Sequence, residues 1–297
     1  MWQGVMPAVT TKFNEDGTLD FAEMRRCFRM LMEAGCDGLV ACGSLGEGPM
    51  LSHAERIDVL KLCKEATAGR PALLTVSEAS TRDACALAEK GAKAGANGIM
   101  VVPSPIYHTN EEEMVAALRA VAQAGDLPVM IYSNRIAYRV DVTTDMLEEL
   151  ADDKRFVAVK ESCDDIRRTI EIINRLGNRY DVFTGVDNLA FEALAVGAVG
   201  WIAGVMAFPR ETVAIYRLMK AGRHAEALAV YRWFRPLLDL DVSTYLVQNL
   251  KLVEALVIGS NDRVRAPRLP HAGERRAEIE ERVEKALATR PVLPAFG

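Results

Sequence analysis

The chain has 297 residues, half of them hydrophobic and 26% charged, enough for one large α/β domain or two ordinary ones with a sizeable core. Its net charge of −5 leaves no basic face for a phosphate backbone, so no nucleic acid is expected among its partners. The cysteines, Cys27, Cys36, Cys42, Cys63, Cys85 and Cys163, form no CxxC pair and read as small buried residues of a reducing cytosol rather than a disulfide framework.

Residues 1–7 lack the basic and apolar regions of a signal peptide, so a cytoplasmic location is expected. Apolar runs then recur at 5–11, 38–43, 72–76, 98–102, 129–132, 156–160, 182–185 and 200–204. Helical patterns lie between them. Cys27, Phe28, Leu31 and Met32 fall at helical spacing, and Ser52 with Glu55 forms a capping box. Further helices are predicted over 81–94, 111–124, 144–151, 166–176 and 188–196. A fragment repeats at Ala34-Gly35, Ala94-Gly95 and Val196-Gly197: a glycine closes a helix, a short turn follows, and an apolar run begins. Continuous rather than alternating apolar strands, each joined by a helix, predict a parallel sheet covered on both faces.

Eight such units match a closed (β/α)8 TIM barrel. A doubly wound open sheet is the alternative. It would want a glycine fingerprint after its first strand, where Thr10-Thr11-Lys12-Phe13 stands instead. The most apolar window, 193–208, is glycine-broken and too short to span a bilayer, so no membrane segment is expected. After residue 209 the strand signals stop, and helices are predicted over 211–221, 224–238, 244–258 and 277–288. The expected class is therefore α/β, a barrel over 1–222 with a C-terminal helical extension over 223–297 packed on it.

The strands' C-terminal ends carry the reactive residues. The run 156–160 ends on Lys160, either at a wet strand tip or with a depressed pKa. A depressed pKa makes its amine a nucleophile toward a ketone or imine carbon, forming a Schiff base. Tyr132 is placed to shuttle protons, with Ser44 to relay them. Backbone N–H groups of the Ser44-Leu45 turn can hold a substrate carboxylate, and Gly43 and its neighbouring glycines permit the approach. Each has a plainer reading: a tight turn at 43–48, a rim tyrosine at 132, a subunit contact at Tyr107, a surface pair at Glu47. Asp164 and Asp165 are expected to open the next helix, and Arg135 and Arg139 to be surface arginines. His53, His108, His224 and His271 show no ligand spacing, so no metal is expected. No cofactor is implied.

Together these residues resemble the N-acetylneuraminate lyase and dihydrodipicolinate synthase family of class I aldolases over nearly the whole chain. Gly43-Ser44-Leu45-Gly46-Glu47 matches its G-x-x-G-E turn, Tyr132 its strand-five tyrosine and Lys160 its Schiff-base lysine. The resemblance implies a small 2-oxo acid substrate with a pyruvate-like head. It places Ser44, Leu45, Gly185 and Ile202 as carboxylate-contacting and lining positions. Tyr107 matches a tyrosine that reaches in from a neighbouring subunit, and a homotetramer is implied. The run after Tyr132 departs from the synthase branch: Arg135 replaces its proline, and Ala137 the arginine that grips a second carboxylate. The segments 136–138, 183–187, 233–238 and 264–270 look most similar to the branch that deaminates Δ1-pyrroline-4-hydroxy-2-carboxylate in hydroxyproline breakdown. That implies a cyclic-imine acid as substrate.

Overall fold

The computed structural model describes residues 2–104, 106–107, 110–139 and 141–295. Its strands are β1 (Gly4–Val5), β2 (Leu39–Ala41), β3 (Ala72–Val76), β4 (Gly98–Val101), β5 (Val129–Ser133), β6 (Phe156–Glu161), β7 (Asp181–Thr184) and β8 (Gly200–Trp201). All pair in parallel in the order β1-β8-β7-β6-β5-β4-β3-β2. An Ala8–Val40 bridge joins the two ends, with Val40 N–H donating to Pro7 O (2.8 Å) and Val9 N–H to Val40 O (3.0 Å). The sheet is thus a closed barrel, as the eight repeated units predict.

The helices are α1 (Phe21–Glu33), α2 (His53–Thr67), α3 (Thr81–Lys93), α4 (Glu111–Gly125), α5 (Arg135–Tyr138), α6 (Thr144–Glu149), α7 (Ile166–Leu176), α8 (Ala190–Ala195), α9 (Pro209–Lys220), α10 (His224–Leu238), α11 (Leu246–Ile258) and α12 (Gly273–Ala288). The Ser52–Glu55 capping box forms as expected, and Asp165 caps α7 by accepting from Arg167 N–H. None of these helices is long and apolar enough to cross a membrane.

The continuous strands have a simple cause: both faces are buried, in two separate clusters. Met6, Val40, Leu73, Met100, Met130, Tyr132, Ala158, Phe183 and Ile202 fill the barrel interior. Val5, Leu39, Leu74, Ile99, Ile131, Val159, Val182 and Trp201 face outward into the helix layer. Alternate residues of each strand therefore go to different cores.

Several boundaries differ from expectation. The run 5–11 gives only a two-residue regular strand, because Pro7 cannot donate to the ladder, although Ala8 N–H still reaches Ala203 O at 2.9 Å. The regular strand of the run 200–204 ends at Trp201; Ile202 N–H and Ala203 O still bond to the neighbouring strands, and the run leaves them at Gly204, where the Gly204 and Val205 N–H groups turn to the Asp187 carboxylate. Helix α5 has no apolar periodicity to announce it. It is started by Asn134, whose side chain accepts from Ala137 N–H at 2.8 Å. In the helical extension, α10 meets α9 through edge-on contacts of Phe208 with Trp233 and Phe234.

Candidate active site

Lys160 and Tyr132 are register partners at the C-terminal ends of β6 and β5, and both point into the barrel. Lys160 is 6% exposed and Tyr132 4%, which excludes the wet strand tip for the lysine. The Lys160 Nζ lies 4.0 Å from the Tyr132 ring centroid. Burial pulls the Lys160 pKa down from 10.5, against the opposing pull of Asp241, Tyr138 and Asp187. The amine is thus shifted toward its neutral, nucleophilic form.

Gly185 explains how a lysine fits there. It follows β7, and a side chain at this position would overlap Lys160 Cε and Ser162 Oγ. Its missing Cβ leaves the space that the Lys160 side chain occupies. Ile202, 2% exposed, closes the adjacent wall.

Burial raises the Tyr132 pKa, so the phenol keeps its proton, and its oxygen accepts from Asn134 Nδ2 at 3.0 Å. Ser44 Oγ is hydrogen-bonded to the Tyr138 hydroxyl. Tyr138 comes from α5 of the same chain, with its ring edge-on to Tyr132 at 6.1 Å. Burial pushes its phenol up to about 12. A file of hydroxyls, Ser44, Tyr138 and Tyr132, therefore stands over the amine. Ser44 thus bonds to Tyr138 and also acts as a hydrogen-bond partner of the Tyr132 phenol. Sequence reasoning quoted Tyr138 only as part of a family-like segment. The available signal was a second phenol six residues past the strand-five tyrosine, just after an asparagine able to cap a turn.

Tyr107 is 63% exposed, and His108 lies outside the described residues. Among the described residues no three His, Cys, Asp or Glu side chains come together as a metal site.

The turn after β2 is tightly made. Cys42 and Glu47 both take positive φ, and a side chain at Gly48 would strike the Cys42 carbonyl. Among the described residues no carbonyl accepts from the Ser44 or Leu45 N–H, so both donors are available to an anion. Glu47 is not a surface residue. It is fully buried, 2.5 Å from Lys251 Nζ on α11, and accepts from Arg265 N–H at 3.0 Å. A parallel pair, Lys12 with Glu254 at 2.5 Å, ties the end of the first apolar run to the same helix.

Two carboxylates missing from the predicted set complete the mouth. Asp187 is fully buried and accepts from Trp201 Nε1 (2.8 Å), Gly204 N–H (3.0 Å) and Val205 N–H (2.8 Å). Asp241 lies on the connection between α10 and α11 and is half-buried. Burial raises both pKa values, and repulsion by Asp187 lifts Asp241 further, while Lys160 pulls both down. The "Gly-Val-Asp" run after β7 signalled Asp187. Asp241 comes from a connector with no motif.

A model of the dihydrodipicolinate synthetase family matches residues 1–286. The 4-hydroxy-tetrahydrodipicolinate synthase of Methanothrix thermoacetophila is 27% identical, over 96% of this chain and 97% of its own. The enzyme of that name from Natronomonas pharaonis is 34% identical, over 71% of this chain and 73% of its own. The crystal structure of dihydrodipicolinate synthase from Aquifex aeolicus superposes with a TM-score of 0.90 at 26% identity, covering 96% of this chain and 98% of that one.

Proposed function

This chain belongs to the dihydrodipicolinate synthetase family, and from that membership we propose that it is a lysine Schiff-base lyase acting on a 2-oxo acid with a pyruvate-like head. The observation that carries the reading is the buried Lys160 amine against Tyr132, with its pKa drawn down. The neutral amine adds to C2, and the carbinolamine loses water to give an imine. The substrate carboxylate rests on the Ser44 and Leu45 N–H groups. Tyr132 takes and returns protons, with Tyr138 and Ser44 behind it. Loss of a C3 proton then gives an enamine, which either attacks an aldehyde or expels a leaving group one carbon further on. The relatives named synthases support pyruvate as the first partner.

A specific observation favours a second reading. The position where the resemblance would put an arginine for a second carboxylate holds Ala137 instead. Arg135 turns to Asp141 (3.9 Å) and Asp165 (3.8 Å), and Arg268 is held 3.7 Å from Glu47. A substrate with one carboxylate fits better, as in deamination of Δ1-pyrroline-4-hydroxy-2-carboxylate. Lys160 would displace the ring nitrogen at C2, and C3 proton loss would expel the C4 hydroxyl as water. Two waters taken up in hydrolysis would then release ammonia and 2,5-dioxopentanoate.

Product analysis tests the pair. Incubation with pyruvate and a panel of aldehydes should give condensation or cleavage products on the first reading. Ammonia and the dioxo acid from the cyclic hydroxy-imine, with no reaction of pyruvate with aldehydes, would replace it by the second. No turnover with either overturns both.

A further inference from the structure

The two carboxylates at the mouth do different work. Asp187 has three donors filling its oxygens, and it fixes the chain after β8. Asp241 has a single backbone donor of this kind, the Asp187 N–H. Among the described residues no side chain donates to it, and it stands half-buried on a connector beside the exposed Val242. Its carboxyl packs on Gly204, where an added Cβ would lie 2.5 Å from Oδ1 and 2.8 Å from Cγ. Glycine at 204 thus admits the carboxyl to the mouth. From there it acts electrostatically on Lys160 and Tyr132, the two groups of the proposed chemistry.

A carboxyl beside another carboxylate is unfavourable, and the charge that offsets it is carried at Lys160, by the ammonium or, during reaction, by the protonated imine. Such a group is poorly suited to holding the fold together. It is well suited to meeting a hydrogen-bond donor on a bound molecule, and it repels a second substrate carboxylate.

We infer that Asp241 is a specificity-determining residue: its carboxyl group meets the substrate beyond the imine carbon and hydrogen-bonds to a hydroxyl or amino group carried there. The inference rests on the imine-forming reading. It goes beyond it by naming the substrate class, a 2-oxo or cyclic-imine acid bearing a polar donor near C4 and no second carboxylate.

A matched pair of acids tests it: 2-oxobutanoate and 4-hydroxy-2-oxobutanoate, which differ by one hydroxyl. Half-saturation of imine formation is measured by borohydride trapping and intact mass for the wild type, Asp241→Asn and Asp241→Ala. The wild type should favour the hydroxylated acid by roughly 10- to 100-fold, the worth of a hydrogen bond to a charged group. Asp241→Ala should bring that ratio close to unity. Asp241→Asn, whose amide oxygen still accepts, should keep part of it. Because the quantity is a ratio within one protein, partial unfolding of a variant does not alter it. A wild type without the preference, or an Asp241→Ala enzyme that keeps it in full, overturns the inference. Absence of any adduct in the wild type, with pyruvate as well, overturns the imine-forming reading and the inference with it.

Discussion

At the scale of single residues the site turns on where one proton sits. Lys160 reacts only as the neutral amine, and burial lowers its pKa below the ordinary 10.5, so more of it is neutral at any given pH. The sign of the pH dependence follows. Imine formation should rise with pH and level off at an inflection displaced below 10.5. The rate of trapping with pyruvate between mildly acidic and alkaline pH measures it. An inflection at or above the free-lysine value would mean that the amine is not desolvated. Lys160, Tyr132 and Ser44 were legible in the sequence because each ends a buried run or opens a glycine turn. Tyr138 and Asp241 were not. They lie on a helical turn and a connector, with no periodicity, and only the closed barrel brings them over the lysine.

At the scale of elements the turn after β2 is held from outside the barrel. Glu47 and Lys251 are both fully buried at 2.5 Å, and Arg265 N–H adds to the same carboxylate. Breaking such a pair strands a charge, which typically costs about 3–5 kcal/mol. Glu47→Ala should lose about that much in denaturant unfolding and should raise KM for the 2-oxo acid, because the Ser44-Leu45 donors move with the turn. Unchanged stability would show that the pair is not closed in solution. The sequence left Glu47 open between a supporting carboxylate and a surface pair. Its partner is 204 residues away along the chain, a distance that local patterning does not reach. The strands and most helices were legible because double-sided burial writes itself as continuous apolar runs. Their ends were not, because they are set by particular hydrogen bonds, such as those of Asp187 to the Gly204 and Val205 N–H groups.

At the scale of the molecule the residue to test is Tyr107. Tyr107 is 63% exposed in the chain, and the resemblance implies that it enters the site of a neighbouring copy. We propose that the enzyme works as an oligomer. Sedimentation should give a mass of several chains, and Tyr107→Ala should lower turnover. A single-chain mass together with undiminished turnover of that variant would remove Tyr107 from the chemistry. The hydroxyl file of Ser44, Tyr138 and Tyr132 is already complete within one chain, so the variant should slow the reaction rather than abolish it.

The central claim is covalent bonding through Lys160. Intact-mass measurement after borohydride reduction in the presence of pyruvate tests it most directly, with Lys160→Ala alongside. The wild type should carry one reduced pyruvyl group per chain, mapped to the peptide containing Lys160, and the variant none. An unmodified wild type, or a variant labelled to the same extent, would contradict it.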